Sequence, residues 1–121
     1  MKDIENIVEL IDPIIPKGTK KIVFFCEVED NASECCYYLC NDDEPVQCYE
    51  LAESEEIDTV LLDETFKKLG DYIRQTEAYD ETKRNVITIL VEGKSEKVYV
   101  EKFDKSIRLY KLKKEWKAKY L

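Results

Sequence analysis

Three strand-like runs stand between residue 20 and residue 51, and the segments joining them are too short to cross a sheet. In residues 20–29, Ile22, Phe24, Cys26 and Val28 alternate onto one face. Val23, Phe25, Glu27 and Glu29 take the other, which turns wet at its far end. Residues 34–40, rich in Cys and Tyr, make a second run, and residues 46–51 a third. The turns between them hold Asp30 and Asn31, then Asn41, Asp42, Asp43, Glu44 and Pro45. Parallel neighbours need a crossover of about a dozen residues or more. The three runs therefore predict an antiparallel meander.

The flanking sequence predicts three helices and two more strands. Asp3 caps a first helix in which Ile4, Ile7, Val8 and Ile11 recur at helical spacing, ending or kinking near Pro13. Asp58 caps a second, striped by Leu62, Phe66, Leu69 and Ile73. The β-branched run at 85–92 predicts a central strand, and a turn at Gly93 leads to another at 97–103. Ser106 caps a last helix with Leu109, Leu112, Trp116 and Tyr120 on one side. The order α-βββ-α-ββ-α gives an α+β fold with a mostly antiparallel five-stranded sheet, as one domain over residues 1–121.

Charge narrows function. Lys and Arg number 19 and Asp and Glu 27, for a net charge of −8. Residues 22–64 hold 14 acids and no Lys or Arg, whereas residues 102–121 hold 8 basic residues and 2 acids. That balance argues against a nucleic-acid binder, which needs a basic face. The chain has no His, which excludes Ser-His-Asp and Cys-His catalysis and His-ligated metals. No apolar run reaches 18 residues and no secretory signal opens the chain, so a cytoplasmic protein with no membrane partner is expected.

Residue chemistry offers little for catalysis. The cysteines, Cys26, Cys35, Cys36, Cys40 and Cys48, lack the paired spacing of a structural zinc site. Cys35 and Cys36 point to opposite faces of a strand, and the acidic surroundings raise the thiol pKa values. The three glycines stand apart, so no phosphate-cradling loop exists. No enzyme activity, metal or cofactor is expected. The acidic stretch is either a solvated surface or one that captures a basic partner. A nuclease is a natural partner, because its substrate cleft is itself basic.

Two groups of residues carry a family resemblance. One is Ile15-Pro16, Lys21-Ile22 and Glu27-Val28; the other is Tyr110, Trp116 and the closing Lys119-Tyr120-Leu121. With the strand order between them, the chain resembles the YezG-like immunity proteins of bacterial polymorphic toxin systems. The resemblance implies an antitoxin that binds a cognate toxin domain, commonly a nuclease, and blocks it as a heterodimer without catalysis. The acidic loops then become the expected toxin-binding residues: Asp42, Asp43 and Glu44 in one, Glu53, Glu55 and Glu56 in the next, with Tyr38 and Tyr49 as anchors. A cytoplasmic adaptor or regulatory subunit with no toxin partner is the alternative expectation.

Overall fold

The computed structural model describes residues 2–41, 44–54 and 57–121. Five strands form one sheet: β1 (Lys21–Val28), β2 (Ser33–Leu39), β3 (Val46–Gln47), β4 (Lys83–Glu92) and β5 (Ser95–Asp104). They lie in the order β3-β2-β1-β4-β5, and every neighbouring pair is antiparallel. The expected α+β class and antiparallel sheet are what the chain adopts.

The central position of β1 explains its composition. Seven of its eight residues are buried, since elements cover the sheet on both sides. On one face Phe24 packs against Tyr37, whose hydroxyl donates to the Ile14 carbonyl at 2.9 Å. On the other, Phe25 meets Trp116 edge to face, ring centres 5.0 Å apart. The far end of this second face is not wet as expected. Glu27 is 3% exposed, because Arg84 from β4 closes over it.

The first face is covered by α2 (Thr59–Arg74) and by two 3₁₀ helices, η1 (Ile4–Leu10) and η2 (Asp12–Ile14). The expected first helix is therefore two shorter, tighter segments. Its β-branched Ile4, Ile7 and Val8 favour the α-helix weakly. Pro13 occupies the first turn of η2, where no N–H is needed. Ile7, Ile11 and Ile14 are still buried at spacings of four and three. Asp3 caps η1 through the Glu5 N–H, and Asp58 caps α2 through the Val60 N–H at 2.9 Å.

The third run departs most from expectation. Only Val46–Gln47 is strand, and Cys48–Glu53 is a short helix, α1. Leu51, Ala52, Glu50 and Glu53 are good helix formers, and Cys48 and Leu51 bury at a spacing of three. The opposite face of the sheet carries α3 (Leu109–Tyr120). It begins after Arg108 rather than at Ser106, because Asp104 takes the Ser106 N–H into a turn at 2.8 Å.

Candidate docking surface

Helix α1 turns the sequence 48–53 into a surface. At helical spacing Tyr49, Glu50 and Glu53 share its outward side, and all three are exposed. Tyr49 packs edge-on to Phe66 of α2, ring centres 6.4 Å apart. Beside it opens a shallow cavity of about 300 Å³, bounded by Tyr49, Phe66, Asp63, Lys67 and Glu34. Burial pushes the Tyr49 phenol up to about 12, with Cys48 and Asp63 adding to the shift. The first turn of α2 adds Val60, 64% exposed, and Leu61, 38% exposed. Exposed aliphatic and aromatic groups thus stand among carboxylates, a combination suited to protein contact.

The expected toxin-binding residues separate. Glu44 is exposed just before β3, and Glu53 is exposed at the end of α1. Asp42, Asp43, Glu55 and Glu56 lie outside the described residues. Tyr38 and Tyr49 fall on opposite sides of the sheet. Tyr38 is 7% exposed, its ring lies 5.9 Å from Trp116, and the Lys117 ammonium stands over it. A side chain so enclosed offers little surface to a partner, so Tyr49 alone of the two is an available anchor. Residue 49 falls in the run expected as the third strand of the meander, 46–51; the helix-forming composition of 50–53 is the signal for its true setting.

Basic residues gather on the α3 side. Lys111, Lys114, Lys117 and Lys119 are exposed there. Two reach back to the sheet: Lys113 Nζ to Glu34 Oε1 at 2.9 Å and Lys119 Nζ to Glu101 Oε2 at 3.3 Å. The acidic α1 surface and the basic α3 surface therefore occupy opposite faces, and Lys113–Glu34 bridges them.

The cysteines fit neither a metal site nor a reactive thiol among the described residues. All five are free thiols, and Cys26, Cys35, Cys36 and Cys48 are buried. No group of three or more Cys, Asp or Glu side chains is placed to hold a metal among the described residues. Burial pushes Cys48 up to about 11 and is the first cause of the upward shifts at Cys36 and Cys40. At Cys26 the first cause is its hydrogen bond with Cys35. The expected direction holds, but its cause is desolvation and thiol pairing more than surrounding acids.

Glu27 and Arg84 form a second electrostatic feature. Arg84 Nη1 lies 3.6 Å from both Glu27 Oε1 and Glu29 Oε2, beyond hydrogen-bond distance. Among the described residues, Glu27 Oε1 and Arg84 Nε have no hydrogen-bond partner. Burial, reinforced by Glu29 and opposed by Arg84, raises the Glu27 carboxyl to about 7. Sequence reasoning missed this pair because Arg84 is distant in the chain.

No helix among the described residues is long and apolar enough to cross a membrane. No protein-family model matches the chain, and no curated protein matches it significantly.

Proposed function

We propose that this protein is a cytoplasmic immunity protein, an antitoxin that binds a cognate bacterial toxin domain and neutralises it stoichiometrically, without catalysis. The observation that carries this reading is the segregation of charge. Residues 22–64 hold 14 acids and no Lys or Arg. Part of that charge surrounds Tyr49, Val60 and Leu61 on the α1–α2 surface, while basic residues collect on α3. A basic nuclease domain approaching this protein is attracted to the α1–α2 side, and its apolar groups find partners there. The resemblance to YezG-like immunity proteins, carried by Ile15-Pro16, Lys21-Ile22, Glu27-Val28 and the closing Tyr110, Trp116 and Lys119-Tyr120-Leu121, supports the same reading.

Mechanistically, long-range attraction raises the association rate and orients the encounter. Tyr49 and Leu61 then bury against the partner and set the lifetime of the complex. Glu44, Glu50 and Glu53 supply carboxylates that face the toxin's phosphate-binding cations.

The test is co-expression with the C-terminal domain of the product of the adjacent gene. The expected result is a one-to-one complex that survives purification, with growth restored to cells carrying the toxin domain. A toxin domain that kills equally in the presence of this protein, with no complex recovered, contradicts the proposal. A complex with a non-toxic partner would favour the adaptor reading.

A further inference from the structure

Strand β5 is the open edge of the sheet. Its ten residues pair with β4 on one side, and among the described residues no strand pairs with the other. Its outward groups can be assigned. The Gly93 N–H donates to the Lys20 carbonyl on the β1 side, so Glu92 faces β5 and pairs with Ser95 across the two-residue turn. Alternation then directs the backbone groups of Lys97, Tyr99 and Glu101 to β4. Those of Glu96, Val98, Val100 and Lys102 point into the open.

A bare edge invites another strand, and natural edges carry charge to discourage it. Here the charge is arranged otherwise. The segment Glu96-Lys97-Val98-Tyr99-Val100-Glu101-Lys102 is self-complementary about Tyr99. Laid antiparallel on a second copy with the two-fold axis at Tyr99, Glu96 faces Lys102 and Lys97 faces Glu101. Val98 faces Val100, and Tyr99 faces itself. Every charged position meets its opposite, and each facing pair lies on one side of the sheet. The register also matches the backbone: the outward residues pair with one another, Glu96 with Lys102 and Val98 with Val100. Tyr99 and Val100, 40% and 38% exposed, are the apolar centre of this edge.

The surroundings accept the same partner. An open concavity of about 660 Å³ is lined by Glu96 to Tyr99 along the open edge and by η1 and η2 opposite. Glu5, Glu9, Asp12 and Glu96 line it, and Lys97 is its one cation among the described residues. In the two-fold arrangement the second copy's Lys102, opposite Glu96, arrives at this acidic groove.

We infer that β5 is a self-association edge, pairing with β5 of a second copy to give a two-fold dimer with a continuous ten-stranded sheet. The contact is isologous and closes on itself. A single-strand contact lies at the small end of specific interfaces, so the dimer is a weak, reversible one. It uses the sheet edge opposite β3 and leaves the α1–α2 surface open, so it stands independently of the proposed toxin binding.

The deciding pair is Glu96–Lys102. Glu101 is already held by Tyr120 and Lys119, at 2.9 and 3.3 Å, whereas among the described residues neither Glu96 nor Lys102 forms an ion pair. Sedimentation of the purified protein from about 1 µM to about 1 mM, a range set by that interface size, should show a monomer–dimer equilibrium. Glu96→Lys sets two like-charge contacts in the dimer and should weaken it about tenfold. Adding Lys102→Glu restores opposite charges and should return the dissociation constant to near its original value. Both side chains are exposed, and far-UV circular dichroism confirms that each variant is folded. Hydrogen exchange supplies a second readout: the amides of Glu96, Val98, Val100 and Lys102 should gain protection as concentration rises, and those of Lys97 and Tyr99 should not. A protein that remains monomeric to about 1 mM overturns the inference and leaves the edge to a foreign strand. So does a dimer indifferent to Glu96→Lys, or one that the charge swap does not recover.

Discussion

The indole N–H of Trp116 donates to the hydroxyl of Thr88 at 2.9 Å, inside the layer between α3 and the sheet. Thr88 is fully buried and Trp116 is 5% exposed, so this bond fixes where α3 sits on β4. Phe25, Tyr38 and Tyr120 surround the same indole at 5.0, 5.9 and 5.5 Å. Thr88→Val keeps the shape and strands the indole N–H, so it should cost about 1–3 kcal/mol. Trp116→Ala also empties the layer and should cost about 3–5 kcal/mol. Urea unfolding of both variants checks the order; equal losses would contradict it.

Glu27 sets a pH dependence. Its carboxyl is raised from 4.5 to about 7 in the folded chain, chiefly by burial. The folded protein therefore holds this proton more tightly than the unfolded one, and stability falls as pH rises from about 4.5 through about 7. The full contribution is about 3 kcal/mol, present below that window and lost above it. Glu27→Gln should flatten the stability profile between pH 5 and pH 8, read by urea midpoints (a window about the shifted value). Asp80 and Asp104, both held low by hydrogen bonds to their loops, titrate below that window. An unchanged slope in Glu27→Gln would contradict the assignment.

Gly70 permits α2 to approach β2. A Cβ at this position would stand 2.7 Å from the Ser33 hydroxyl oxygen and 3.1 Å from the Ser33 Cβ. On helix propensity alone, Gly70→Ala should stabilise by about 1 kcal/mol. Against Ser33 it should destabilise, whereas in a Ser33→Gly background the helix gain should emerge. The double-mutant cycle measures this coupling by thermal or urea unfolding. Additive effects would show that the contact carries no cost.

Asn85 secures the segment between α2 and β4. Its amide nitrogen donates to the carbonyls of Val28, Asp80 and Lys83, and its oxygen accepts from the Asp80 N–H at 2.9 Å. Asn85→Ala should cost about 2–3 kcal/mol, since buried backbone groups lose their partners. Hydrogen exchange should quicken at Asp80 and Thr82 before the sheet opens.

Much of this fold is legible in the sequence where one local rule decides the outcome. Alternation marks β1, Cys- and Tyr-rich composition marks β2, β-branched content marks β4, and Asp58 with its four-and-three stripe marks α2. The structure departs from the local pattern where a distant or competing term decides. The third strand expected over 46–51 stops at Gln47, because the side chains of 50–53 favour a helix. Glu27 looked like the wet end of a face because nothing nearby announces Arg84. Tyr38 and Tyr49 both belong to the acidic stretch, yet the turn into α1 sends them to opposite sides of the sheet. The groove beside β5 depends on η1 packing across a strand some 90 residues later, which no local pattern records.

The most direct measurement for the proposed function is the association rate of this protein with the C-terminal domain of the adjacent gene's product, the proposed toxin, followed across ionic strength. The wild-type rate should fall steeply with salt, because unscreened carboxylates on the α1–α2 side draw the partner in. Glu50→Lys with Glu53→Lys should slow association about tenfold or more at low salt and flatten the salt dependence. Tyr49→Ala should instead speed dissociation with little change in the association rate. A rate insensitive to salt, or unaffected by reversing both charges on α1, would contradict the account.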